Sequence, residues 1–172
     1  MPVQGAGSGM DTKTLLIVIA GAAVAGIVLW LLLRKGAAKL ERLPPEKLAQ
    51  IAAEKAEAYV HQHKSGTGED LGFLLEDLKK MDQVLEKNFA RNLLDAHTID
   101  HMGMYLGETI RRLFGGQWRY NEGFGELCLE LEEEGFIFPV SQIRRALEHK
   151  ESGQVRSYVE SIAERQRAAK GK

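Results

Sequence analysis

Two histidines give the chain its one metal-like spacing. His97 and His101 stand four residues apart in AHTIDHMGM, and on a helix that separation puts both imidazoles on one face, where they can share an ion. A zinc-protease helix needs a glutamate directly after the first histidine, and Thr98 occupies that position. Asp95 and Asp100 offer oxygen nearby, and His61 and His63 come from a separate segment. No spacing fixes a third ligand. The pattern supports a metal-dependent hydrolase using His97, His101 and Glu108 only as the alternative to two solvated histidines, and it predicts no metal.

A second constellation follows on the same stretch. Gly103, Tyr105, Gly107, Glu108, Arg111, Arg112 and Trp118 lie within GMYLGETIRRLFGGQW. Glycines four apart leave one helix face bare enough for a helix or sheet to come close, and Glu108 can pair with Arg111 or Arg112 three or four residues on. One reading is a packing face with helix ion pairs. The other is a recognition groove at a helix-to-strand junction, bounded by Tyr105, Glu108, Arg111, Arg112 and Trp118, since aromatic and arginine side chains dominate protein contact hot spots. Arg111, Arg112 and Arg119 are close enough in sequence to meet a carboxylate or phosphate, but too few to decide it.

Other chemistries lack their signatures. Cys128, the single cysteine, has no neighbours that would lower its pKa, and it falls on the polar side of an alternating run. No Walker loop is present, and the glycines of GTGEDLG follow no strand, so no nucleotide or other cofactor is expected. The acidic run Glu130 to Glu134 reads as a solvated strand edge that discourages pairing. A formal net charge of −1 with 27% charged residues argues against nucleic acid, which requires a basic surface.

Three amphipathic runs position these residues. Pro45 to His63 sets Leu48, Ile51, Ala52, Tyr59 and Val60 near one face, and Lys64 to Gly68 is expected as a loop. Asp70 is the expected cap of a second helix running to Lys87, with Leu71, Leu74, Leu75, Leu78, Met81 and Leu85 inward. A third covers Leu93 to Phe114, with Ile99, Met102, Leu106, Ile110 and Leu113 inward, and Gly115-Gly116 stops it. The period then changes to two. Gln117 to Asn121, Leu127 to Leu131 and Phe136 to Phe138 are expected as an antiparallel meander, with Pro139 ending the last strand. Ser141 to Lys150 and Gly153 to Ala168 return to helix. The soluble part is therefore expected to be α+β, a helical bundle with a small three-stranded meander and two C-terminal helices.

Ahead of all this lies LLIVIAGAAVAGIVLWLLL, residues 15–33, nineteen residues with no charge or proline. As a helix it spans roughly 28 Å, near the hydrocarbon thickness of a bilayer. It is too long for a signal-peptide core, its preceding segment has only Lys13 as a basic side chain, and Arg34-Lys35 follows where a cleavage site would sit. The expected organisation is a disordered tail over 1–13, in which Met10 is a possible start, a transmembrane helix over 14–35, a linker over 36–43, a domain over 44–168 and a tail over 169–172. Arg34, Lys35, Lys39 and Arg42 outweigh the basic charge before the span, so the domain is expected in the cytoplasm and the N-terminus outside. Gly21 with Ala25, and Ala22 with Gly26, form small-xxx-small pairs through which a second membrane helix can pack.

The succession LLEDLKKMDQVL, GMYLGETIRRLFGGQW, an acidic-apolar strand and FPVSQIRRAL resembles an uncharacterised bacterial domain family. Its core reads G-x-Y-x-G-E-x-[IL]-R-R-x-x-G-G-x-W, and Gly103, Tyr105, Gly107, Glu108, Arg111, Gly115, Gly116 and Trp118 match it, with Phe138-Pro139 matching a later element. The likeness covers roughly 70–162. It implies a bacterial source, hence the inner membrane, and a mixed α+β module; it implies no activity. The expectation for function is a membrane-anchored, cytoplasmic, noncatalytic module that binds a protein partner.

Overall fold

In a computed structural model, residues 40–89 and 94–170 are described. The expected tail and membrane span over 1–35, with the glycine pairs at Gly21 to Gly26, lie outside them, as does the end of the tail at 171–172. Among the described residues no helix is long and apolar enough to cross a membrane. Glu41–Lys172 forms one compact unit. Its elements are α1 (Pro45–Thr67), a 3-10 turn (Leu75–Asp77), α2 (Leu78–Asn88), α3 (Ala96–Phe114), β1 (Gln117–Asn121), β2 (Glu126–Leu131), β3 (Gly135–Ile137), α4 (Pro139–His149) and α5 (Gln154–Lys170). The fold is α+β with a three-stranded antiparallel sheet in the order β1-β2-β3, as the change of period implied.

α3 is the organising helix, packed against α1 on one side and α4 on another, while α1 also lies along β1 and α2 meets α5. Its Met102, Leu106 and Ile110 are buried together with Leu48, Ala52 and Ala56 of α1 and Trp118 and Leu129 of the sheet. The register sets Trp118 opposite Leu129 and Tyr120 opposite Leu127, which collects the apolar side chains on one face.

Several boundaries differ from the sequence reading, each for a local reason. α1 continues through Thr67 because the Ser65 and Thr67 hydroxyls donate back to the carbonyls of His61 and His63, both at 2.8 Å, which satisfies these polar residues inside a helix. It ends at Gly68, whose φ of 78° is left-handed. Asp70 caps nothing; its carboxylate pairs with Lys64 at 2.8 Å. The next α-helix starts only at Leu78, so Leu74 lies outside the helical period and is 58% exposed. Asp95 accepts from the Thr98 amide at 2.7 Å, so α3 begins at Ala96 and not at Leu93. Leu113, expected inward, is exposed in its last turn. Pro139 both ends the β3 segment and opens α4 at its first position, where a missing amide costs nothing.

Two readings of β2 are corrected. The acidic run is no sheet edge: Glu130 lies on β2, the central strand, and pairs with Arg119 at 2.9 Å, while Glu132 to Glu134 form the turn into β3, where both Glu134 carboxylate oxygens accept from the one N–H of Arg165 Nε at 3.0 and 2.8 Å. Cys128 is fully buried even though it alternates with leucines. Burial, reinforced by Glu126 and Glu130, pushes its thiol up to about 11, which leaves it protonated and unreactive at neutral pH.

Asp82 makes the long-range link that sequence does not announce. Its buried carboxylate accepts the amides of Val155 at 3.0 Å and Arg156 at 3.1 Å, so α2 supplies the N-terminal cap of α5. Burial raises this carboxyl above its ordinary range against the pull of the two amides.

Candidate site at the helix-to-strand junction

Glu108 is the centre of the junction. It lies nearly two helical turns before the end of α3 and is 2% exposed. Arg111 grips it with two bonds, Nε to Oε2 at 2.9 Å and an Nη2 to Oε1 at 2.7 Å. Arg112 Nε adds a third at 3.1 Å, and the Trp118 indole N–H approaches Oε2 at 3.4 Å. Burial works to raise the Glu108 carboxyl, but the hydrogen bonds from Arg111 and Arg112 outweigh it and hold the group below its ordinary value. The same bonds raise Arg111. Both carboxylate oxygens are thereby committed, and one carboxylate fixes two guanidinium planes at the surface, where the arginine side chains are 38% and 40% exposed.

The glycines explain how the sheet reaches this helix. A Cβ on Gly107 would stand 2.2 Å from Trp118 Cη2 and 2.8 Å from the Pro139 ring, and one on Gly103 would stand 2.6 Å from the Val140 backbone. The bare face is therefore a packing face, used by β1 and α4. Three of the five expected contact residues are buried: Trp118 fills the glycine face, Glu108 lies beneath the two arginines, and Tyr105 packs against Tyr59 and Phe73. What remains outward are the outer edges of Arg111 and Arg112.

Arg111 borders a cleft of about 210 Å³, lined by Pro45, Glu46 and Ala49 of α1 and by Gly116, Gln117 and Trp118 at the start of β1. Arg112 points elsewhere: its guanidinium carbon sits 3.6 Å from the centre of the Phe73 ring, and a terminal nitrogen reaches Glu57 at 3.5 Å. Arg119 is paired with Glu130, so the three arginines do not assemble into one anion site.

Nor do the histidines assemble a metal centre. The His97 and His101 rings lie 3.9 Å apart, but both expected oxygen donors are engaged, Asp95 by the Thr98 amide and Asp100 by Lys55 at 2.6 Å. Burial and the adjacent His97 hold His101 below the ordinary imidazole range. Among the described residues no three His, Cys, Asp or Glu side chains come together. Glu108, saturated by arginines, is not free to act as their base.

Sequence reasoning missed a buried aromatic cluster behind the junction. Phe73, Tyr105, Tyr59 and His63 follow one another with ring centroids 4.9, 5.4 and 6.1 Å apart. The hydroxyls of Tyr59 and Tyr105 and Nε2 of His63 are buried without a hydrogen-bond partner among the described residues. Burial raises both phenols and lowers the imidazole. Tyr59 and His63, one helical turn apart, were the available signal. Phe73 was not legible, because nothing in GEDLGFLLED marks a phenylalanine for a left-handed backbone.

Comparison with family models, curated proteins and solved structures returns no match.

Proposed function

We propose that this chain is a single-pass, membrane-anchored interaction module of a bacterial inner membrane, with its α+β unit in the cytoplasm and a protein partner bound at the Arg111 cleft. The resemblance of the Gly103 to Trp118 core to the uncharacterised bacterial domain family belongs to the same reading. The observation that carries the binding site is the arrangement of Arg111: a buried carboxylate fixes its guanidinium beside a concave surface, and a pre-oriented arginine loses little freedom when it meets a partner. The uncharged run over 15–33 and the basic residues after it support the anchor and its orientation. Anchoring raises the local concentration of the unit near membrane complexes, so a shallow cleft suffices.

Charge reversal of Arg111 is a poor probe, since Arg111→Glu would set a second carboxylate against buried Glu108. Ala49→Arg is better, because Ala49 is half-buried on the cleft wall and touches none of the Glu108 bonds. We expect it to abolish co-purification of a stoichiometric partner from solubilised membranes while stability stays within about 0.5 kcal/mol of wild type. An unchanged partner set with Ala49→Arg, but a changed one with Gly21→Leu or Gly26→Leu, would move recognition to the membrane helix. For topology, a reporter active only in the cytoplasm should be active when fused after Lys172. Activity of a periplasm-only reporter at that junction would overturn the orientation.

A further inference from the structure

The segment between α1 and the 3-10 turn, Gly68 to Leu74, crosses the aromatic cluster in a conformation that needs holding. Phe73 has φ of 57° although it carries a side chain, a left-handed backbone that costs free energy unless its surroundings impose it. Its ring is nonetheless buried, packed on Tyr105 at 4.9 Å from inside and covered by the Arg112 guanidinium at 3.6 Å from outside. On either side of Phe73, Asp77 accepts the amides of Gly72 at 2.8 Å and Leu74 at 3.3 Å, and nearer α1 Lys80 binds the Asp70 carbonyl at 2.7 Å. Tyr105, against which the ring packs, and Tyr59 and His63 beyond it carry the three polar atoms without partners. An unpaired buried polar group is unfavourable, and that penalty is recovered when solvent or a polar ligand reaches it. Strain and orphaned groups thus both favour opening, while the Phe73 plug and the arginine over it oppose it.

We propose that Gly68 to Leu74 is a strap closing a polar recess formed by Tyr59, His63 and Tyr105, and that Arg112 is its latch. Lys80 ties the segment's backbone at Asp70 and Asp77 ties it on both sides of Phe73, so release of the latch frees the Phe73 side chain, and its departure uncovers two phenolic hydroxyls and one imidazole. No formal charge sits on those three groups, which suits the recess to a neutral, hydrogen-bonding molecule. Arg112 is held ready by Glu108, and the latch operates whether or not the Arg111 cleft takes a partner.

The test is histidine acylation by diethylpyrocarbonate on the full chain in detergent micelles, read residue by residue by mass spectrometry. His61, exposed two residues earlier on α1, is the internal standard for His63. We expect His63 to react at least tenfold more slowly than His61 in wild type, and Arg112→Gln to raise the His63 rate about tenfold without changing His61. Arg111→Gln is the control, since it also strips a guanidinium from Glu108 but leaves Phe73 covered; its His63 rate should remain that of wild type. Equal His63 rates in wild type and Arg112→Gln would overturn the latch. So would an equal rise in both arginine variants, which would place the effect in Glu108. Amide exchange of α1 and α3 in the same samples identifies unfolding: a His63 rise accompanied by lost protection there also counts against the strap. Arg112→Lys then supplies the second variant, keeping a positive charge near Glu108 without a planar group over the ring, and it should react as Arg112→Gln does.

Discussion

Gly107→Ala is expected to destabilise the chain by about 2 kcal/mol, a loss of roughly 6–10 °C in melting temperature for a unit of this size. The added methyl would stand 2.2 Å from Trp118 Cη2 and 2.7 Å from Cζ2, and overpacking of a filled core costs about 1–3 kcal/mol. The indole has no room to retreat, because it is 1% exposed and its N–H lies against Glu108. Alanine regains up to about 1 kcal/mol of helix propensity over glycine, so the net figure falls below the full steric cost. Gly66→Ala isolates that propensity gain. Gly66 is helical and a Cβ there meets nothing within 4 Å, so this variant should melt slightly higher than wild type. Calorimetry of the two variants side by side measures the difference; equal melting temperatures would show that β1 does not rest on Gly107.

Glu108→Ala is expected to cost about 3 kcal/mol at pH 7. Removing one partner of a buried ion pair costs about 3–5 kcal/mol, and the lower end applies because both arginines retain access to water. Glu108→Gln separates charge from shape and carries a pH signature. The folded-state carboxyl lies below its ordinary value of 4.5, so its ionisation stabilises the fold. That contribution is complete above the unfolded value and is lost as pH falls through the folded one. The stability gap between wild type and Glu108→Gln should therefore be constant from pH 7 to about 5.5 and shrink as the pH falls below 4.5. Asp82 acts with the opposite sign: its carboxyl is raised above 3.8, so its ionisation disfavours the fold as pH rises through that window, equally in both proteins. Urea unfolding from pH 3 to 7 gives the comparison directly. A gap that does not change over this range would mean that the charge of Glu108 contributes nothing to the junction.

What the sequence determined by itself was the order of elements and the chemistry available along them. Helical periods of three and four, the switch to a period of two after Gly115-Gly116, and the turn residues at 122–125 and 133–135 are local properties of the chain, and local sterics enforce them wherever the chain lies. The pairing of Glu108 with Arg111 and Arg112 was legible for the same reason, since residues three and four apart on a helix must meet. Even the bare face at Gly103 and Gly107 announced a close neighbour.

Which neighbour, and at what cost in exposure, only the tertiary structure decided. Trp118 and Val140 fill the glycine face, which makes Trp118 core, while Tyr59 and Phe73 enclose Tyr105; two arginine edges are left as the accessible part of the junction. Nothing in the sequence singles out Asp82 on α2; α5 brings the amides of Val155 and Arg156 to it from 73 and 74 residues along the chain. Phe73 is the clearest case. A left-handed phenylalanine is unfavourable in isolation, and only the tie of Asp77 to its neighbours' amides, the Tyr105 ring beneath and the Arg112 guanidinium above hold it there. The Asp77 ties are local, but the Tyr105 and Arg112 contacts join residues far apart in sequence, so the energy that selects them exists only once α3 and the strap are packed together.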